Sequence, residues 1–383
     1  MKDVKKHIWL LVLLVMAGCN SELEGPGTGK GKGTPIQLMN YMATYTEPED
    51  NSLAPTGLTR TWEPPTGFSL YTTTGTTALG AFFTSGTESD KRRIYYHTDD
   101  GKWYIEGQEA PATGDYNLYG YVPFNSADVD ITPHTNYEQG ATLTFNNMKS
   151  IMTSDICVIV GASNGTADSP TSLQEGKFSC NMASSYNYLY LLCEHLYAKI
   201  EFCFRVDNSE PYKYATLRKI KLRRVELTTY TYTLENLSDI DIMKKKGSIS
   251  VSLTANNTGT SPIDGTIYFT PDLSSGDMDP VLLFEGEKEL PSNTYTTETG
   301  YVPYFNLGGS GKVLYVLRST YDVYDRNDNL IRKGCVAENT IVPQERFNIR
   351  QFNRGYKYTL QLTVMPTYLY VLSDPDLDNP TIQ

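Results

Sequence analysis

Between Leu192 and Val206 the chain alternates with a period of two. Leu192, Leu196, Ala198, Ile200, Phe202, Phe204 and Val206 fall on one side; Cys193, His195, Tyr197, Lys199, Glu201, Cys203 and Arg205 fall on the other. Successive side chains of a strand point to opposite faces, so this pattern describes a strand with one face on a core and one partly solvated. Glu194 interrupts the apolar side and places the start of the regular strand after it. Helical periodicity is hard to find anywhere after residue 30. Tyrosine occurs 29 times and charged residues make up only 20% of the chain. Tyrosine and the abundant threonine favour pleated, half-buried surfaces. The expected fold class is all-β.

Shorter strand signals surround this one. Leu79 to Phe83 is apolar. Lys91 to Thr98 and the segment carrying Trp103 flank Asp99-Asp100-Gly101-Lys102, a turn of the Asp-Gly kind, so 91–106 reads as a hairpin. Asp115 to Phe124 is aromatic and strand-like up to Pro123, and Ala141 to Phe145 and Asp155 to Val160 follow. Residues 161–177 read as a loop. Beyond the long strand, Leu217 to Leu227, Ser248 to Leu253, Gly265 to Phe269, Val281 to Phe284, Lys312 to Tyr321 and a strand from Leu330 continue the pattern. Tyr356 to Val364 alternates again and is stopped by Pro366, after which Thr367 to Leu372 forms a second short apolar run. A chain of 383 residues exceeds the size at which one core usually keeps growing, so two β-sandwich or barrel-like domains in tandem are expected, 35–190 and 191–383.

The first residues assign an address. Lys2, Lys5 and Lys6 precede the apolar run Ile8 to Ala17, which ends in Met16-Ala17-Gly18-Cys19. A basic start, a short apolar stretch and a small-residue cleavage site make residues 1–18 a secretory signal. The apolar stretch is too short to cross a bilayer of ~30 Å as a helix. A cysteine directly after the cut is the attachment point for a lipid in a bacterial chain, so Cys19 is the expected lipidation site. Residues 19–34 carry little to bury and read as a flexible tether. The formal charge of −11 gives no electrostatic reason to bind nucleic acid.

Catalytic patterns are sparse. His97, His134 and His195 are isolated, and none has the spacing of a metal motif. His195 reads as a packed residue rather than a catalyst. Gly308-Gly309-Ser310-Gly311 lacks the lysine and strand–helix context of a phosphate loop. Asp374, Asp376 and Asp378 have the opening rhythm of a calcium loop, but the glycine and closing glutamate are absent, so a solvated tail is the better reading. Cys157, Cys180, Cys193, Cys203 and Cys335 are odd in number and widely spaced, which favours buried thiols over a disulfide framework. Lys213, Arg218, Lys219, Lys221, Arg223 and Arg224 form a basic cluster, either a solvated strand face that blunts an edge or a surface for an acidic neighbour. Trp62, Trp103 and Tyr121 could form a sugar-stacking platform, although core packing explains them as well. No cofactor, metal or enzymatic activity is implied.

Several segments together resemble the fimbrillin family of Bacteroidales, the major and minor fimbrial subunits and their Mfa-like lipoprotein relatives. They are the lipoprotein signal, the loop around Arg60, the strand Leu79 to Phe83, the aromatic run Asp115 to Phe124, Glu194-His195-Leu196-Tyr197-Ala198-Lys199-Ile200, and Gly355-Tyr356-Lys357-Tyr358-Thr359-Leu360 with the acidic end. The resemblance implies a structural or adhesive subunit of a surface fimbria, exported to the outer membrane as a lipoprotein. It implies cleavage after Arg60 by an arginine-specific protease, departure of the strand Ile36 to Tyr45, and entry of a strand from a neighbouring subunit. The donor strand would lie within Tyr356 to Leu372, in particular Thr367, Tyr368, Leu369, Tyr370, Val371 and Leu372. Its implied partners are other fimbrial subunits, the protease, the outer membrane through the lipid, and host or bacterial surface ligands. A lipid-anchored glycan-binding protein of the same surface is the alternative reading.

Overall fold

Two hydrophobic clusters organise the protein, and alternation along the strands decides which residue enters which. The computed structural model describes residues 35–43, 45, 62–63, 78–97, 102–106, 113–124, 128–183, 188–207, 218–232, 244–255, 262–307 and 311–365. Cys19, Arg60, Thr367 to Leu372, Lys213 and the Asp374–Asp378 run lie outside the described residues. The strands of the first half are β1 (Pro35–Ala43), β2 (Trp62–Glu63), β3 (Ala78–Ser85), β4 (Glu88–His97), β5 (Lys102–Ile105), β6 (Asp115–Val122), β7 (Asp128–Pro133), β8 (Gly140–Met148), β9 (Cys157–Asn164), β10 (Ser179–Asn181) and β11 (Tyr188–His195). Those that follow are β12 (Ala198–Val206), β13 (Lys219–Tyr232), β14 (Gly247–Thr254), β15 (Ile263–Asp264), β16 (Phe269–Pro271), β17 (Val281–Glu289), β18 (Thr296–Val302), β19 (Lys312–Tyr324), β20 (Leu330–Ile341) and β21 (Lys357–Val364). A single turn of helix, α1 (Pro343–Phe347), opens on a proline, whose fixed φ suits a first helical position.

Seven strands close into a barrel in the order β6-β3-β4-β5-β1-β11-β9, with β9 returning to β6 through Tyr121↔Val158 and Val122↔Cys157. Its interior holds Ile36, Leu38, Leu79, Ala81, Phe83, Ile94, Trp103, Ile105, Leu118, Ile159, Leu189 and Leu191. The alternate residues Phe82, Tyr119, Tyr121, Val158 and Val160 point outward into the second cluster. Two glycines allow close approach where β3 meets β6. A Cβ on Gly80 would stand 2.3 Å from the ring of Tyr121, and one on Gly120 would stand 2.4 Å from the carbonyl oxygen of Gly80.

Among the described residues the other sheets are open, so one closed barrel is formed rather than two. β7 and β8 pair with each other, and β8 pairs in turn with β14, which carries β15 and β16. This sheet joins the two halves of the chain: Val251↔Leu143 and Ile249↔Phe145 are register partners, and all four side chains are buried. A β18-β12-β21 sheet and a β17-β13-β19-β20 sheet contribute to the same cluster through Ile200, Phe202, Phe204, Leu222, Val225, Leu317, Tyr358 and Leu360. Residue 190 itself falls within β11, a barrel strand. A backbone bridge between Met152 and Tyr301 makes a further link between early and late segments.

The long alternating run is two strands rather than one. β11 ends at His195, the chain bends at Leu196 and Tyr197, and β12 joins a different sheet. Both faces of β11 are buried, because one lines the barrel and the other meets the second cluster. A register shift at Leu192/Cys193 in the pairing with β9 adds to the change of phase. Tyr197, expected on the half-solvated side, is fully buried. In β12 the expectation holds: Lys199, Glu201 and Arg205 are half-buried and alternate with buried apolar residues. Two smaller corrections follow the same logic. β9 runs on to Asn164 into the expected loop, and the expected strand Gly265 to Phe269 is instead the gap that follows β15, closed by the first residue of β16.

Lys219, Lys221, Arg223 and Arg224 of the basic cluster lie on β13, an interior strand, so they do not blunt an edge. Their charges meet acids of the same sheet and of the turn between β19 and β20. Lys221 and Arg223 both hold Glu287, Arg223 also holds the buried Asp322, Arg224 holds Glu285 and Glu226, and Lys219 holds Asp328.

Candidate functional site

β1 occupies an interior place in the barrel although it comes from the edge of the described sequence. It runs parallel to β11 from Gln37↔Tyr188 to Met42↔Cys193. On its other side β5 reaches only Pro35 and Ile36, and β2 takes over at Met42 and Ala43. Ile36 and Leu38 point into the barrel and are each 2% exposed. Burying two aliphatic side chains of this size contributes roughly 1.5–3 kcal/mol each. Loss of β1 would therefore leave the β11 backbone without its parallel partner and open the apolar interior at Trp103, Leu189 and Leu191.

At the end of β1 the chain meets a buried polar cluster. Asp155 stands two residues before Cys157, the first residue of β9, and Cys157 is the register partner of His195, the last residue of β11. His195 Nδ1 lies 2.5 Å from Asp155 Oδ2. The Cys157 thiol lies 3.5 Å from the same carboxylate oxygen and 3.4 Å from His195 Nδ1. The ring of Tyr45, two residues past β1, stacks on His195 with centroids 3.8 Å apart. Beside the cluster, Arg354 donates to Glu194 at 2.6 Å and to the carbonyl of His195 at 3.3 Å, which pins the β11–β12 corner to the segment leading into β21.

Burial governs the electrostatics here. Desolvation, followed by the charge of Asp155, pushes both the Cys157 thiol and the Tyr45 hydroxyl well above their ordinary values. Burial and then the Asp155 charge likewise raise Tyr197 and Tyr301. A thiol held protonated in this way is not a nucleophile. The hydroxyl of Tyr197 and the second oxygen of Asp155 are buried without a hydrogen-bond partner, and the Tyr45 hydroxyl lies beside the Asp155 carboxylate. Among the described residues, Asp155, Cys157 and His195 are also the group that could hold a metal ion, since their ligand atoms all lie within 4.8 Å of one another.

The other sequence candidates separate clearly. His195 is packed, as expected of it. His134 is remote from the cluster and contacts Ser252 across the β8–β14 pair. The sugar platform is not formed: Trp103 and Tyr121 are 2% and 0% exposed, and the Trp62 side chain lies outside the described residues. Cys157, Cys180, Cys193, Cys203 and Cys335 are all free thiols, four buried and Cys335 half-buried. Tyr356 to Val364 of the expected donor region is built into the protein, with β21 parallel to β12. The Asp155–Cys157–His195 convergence escaped the sequence because its members are forty residues apart and are joined by register. Only the Asp-x-Cys spacing, which puts two side chains on one face, was a visible hint.

No protein-family model matches the chain, and no curated protein sequence matches it. Solved structures offer distant likenesses. A protein of Bacteroides uniformis described as a candidate for cell adhesion is 10% identical, with 89% of this chain and 95% of that one covered and a TM-score of 0.35. Similar candidates from Bacteroides ovatus and Bacteroides fragilis are 12% and 9% identical, with TM-scores of 0.34 and 0.37; the coverage is 86% and 87% of this chain and 92% and 94% of theirs. Likeness at this level carries no weight for fold or function, so the interpretation rests on the chain's own residues.

Proposed function

We propose that the protein is a non-enzymatic structural or adhesive subunit of a bacterial cell-surface fimbria, assembled by strand exchange. In this reading the chain is exported, lipidated at Cys19 and held at the outer membrane. An arginine-specific protease cuts after Arg60, β1 leaves with the lipid-bearing segment, and a strand from a neighbouring subunit, drawn from Thr367 to Leu372, enters the vacated place. The observation that carries the reading is the position of β1: an interior barrel strand that precedes Arg60 in the chain, paired along its length with β11 and burying Ile36 and Leu38 among its described side chains. An incoming strand would restore both the backbone hydrogen bonds and the apolar side chains. Because donor and acceptor are different surfaces, such contacts do not close on themselves and propagate a fibre.

The test is to expose the purified precursor to an arginine-specific protease and follow mass and size together. Loss of everything before Thr61 with the appearance of SDS-resistant oligomers is the expected result. Arg60→Ala should remain monomeric under the same treatment. Equal polymerisation of that variant would remove Arg60 from the account.

A further inference from the structure

We propose that Asp155, Cys157 and His195 form a binding site for one Zn2+ ion at the junction of the barrel with the β12 sheet. The three ligands take no part in the strand-exchange reading, although Tyr45, which covers His195, belongs to the strand that reading removes. Its donor set is one carboxylate, one thiol and one imidazole, a mixture that suits zinc and does not suit magnesium or calcium, which take oxygen ligands. Bond lengths of about 2.0–2.3 Å to a tetrahedral zinc separate sulfur from nitrogen or oxygen ligands by roughly 3.5 Å. Cys157 Sγ already stands 3.4 Å from His195 Nδ1 and 3.5 Å from Asp155 Oδ2. Only the 2.5 Å contact between His195 and Asp155 must widen, to roughly 3.3 Å, as the ion replaces the hydrogen bond that closes it.

Two further observations point to a ligand. The first is the second oxygen of Asp155, buried and without a hydrogen-bond partner, a condition that native proteins rarely leave uncompensated. Three protein ligands leave the fourth zinc position to a water, which would give that oxygen a donor. The second is charge. A thiolate, a carboxylate and a neutral imidazole together cancel the two charges of the ion, so the loaded site can be buried as a neutral unit. Binding would release the thiol proton to solvent. Backbone register already brings the three ligands together, since Cys157 and His195 are cross-strand partners and Asp155 shares the face of Cys157. Tyr45 caps His195, which shields the site from water.

The experiment uses the full chain, dialysed against EDTA under reducing conditions and titrated with Co2+ and then Zn2+. One equivalent of Co2+ should produce a thiolate-to-cobalt charge-transfer absorption, Zn2+ should abolish it by displacement, and Zn2+ should raise the melting temperature. Cys157→Ala and His195→Gln should each weaken binding by more than the roughly 10–100-fold that loss of an outer-shell partner costs, while Cys335→Ser should bind like the wild type. The inference is overturned if the wild-type chain shows neither the absorption nor the thermal shift. It is also overturned if the absorption survives in Cys157→Ala, which would place the metal on another thiol. The wild-type titration decides the matter even where a variant fails to fold.

Discussion

Gly120 illustrates how single atoms set the barrel. With Gly80 opposite Tyr121 and Gly120 opposite Ala81, the two glycines let β6 lie close on β3 while the Tyr121 ring covers Gly80. A Cβ at Gly120 would meet the Gly80 carbonyl oxygen at 2.4 Å, backbone that cannot yield easily, and the end of the Ile159 side chain at 2.8 Å. Gly120→Ala should therefore destabilise the protein by about 1–3 kcal/mol, the usual cost of overpacking a well-filled site. Urea denaturation measures it, and an unchanged midpoint would mean that the two strands approach less closely. The cysteines make a second case. Burial pushes Cys193, and burial with Asp115 pushes Cys180, up to about 12. Folded values above the unfolded one mean that the native state holds these protons longer. Their contribution is thus complete below the ordinary thiol range and is lost as pH rises from there towards about 12. At neutral pH a thiol reagent should label Cys335 first among the five and leave Cys180 and Cys193 until the protein unfolds. Equally rapid labelling of the buried pair would contradict their placement.

Strands were legible in the sequence where one local cause sufficed. The Asp-Gly turn defined the β4–β5 hairpin, Pro123 ended β6, and alternation defined β12 and β21. β18 was missed because Thr296–Val302 is mostly polar and gains its place only as the antiparallel partner of β12. The break between β11 and β12 was hidden because residues buried on both faces continue an alternation that the backbone no longer follows. The basic strand β13 could be read as a charged face, but its neutralisation could not, since Glu285 and Glu287 lie more than sixty residues away in β17. This pairing has a pH consequence. Hydrogen bonds from Lys221 and then Arg223 hold the Glu287 carboxyl below its ordinary value. Its contribution is present above the unfolded carboxylate value and is lost as pH falls through the lower folded one. Glu287→Gln should flatten the acid limb of the urea midpoint measured between about pH 5 and pH 3. An unchanged acid limb would show that solvent already screens the pair.

The molecule as a whole could not be read from its order of strands. The β8–β14 and Met152–Tyr301 contacts tie early to late segments, so the two halves share a core that local patterns do not announce. The polar cluster at Asp155, Cys157 and His195 arises from the same long-range register. The all-β class was plain from tyrosine, threonine and alternation, whereas the single closed barrel depended on two residue pairs between β6 and β9. Within that barrel β1 carries the functional proposal, and it can be locked in place. Gln37 and Tyr188 are cross-strand partners of β1 and β11, and neighbouring strands lie about 4.7–4.9 Å apart, within the Cα separation a disulfide spans. The decisive measurement is the polymerisation of the Gln37→Cys/Tyr188→Cys variant after arginine-specific cleavage, followed by size before and after reduction. Strand exchange predicts that the oxidised, cleaved protein stays monomeric and forms SDS-resistant oligomers only once the bond is reduced. Equal polymerisation with the bond intact would contradict the departure of β1.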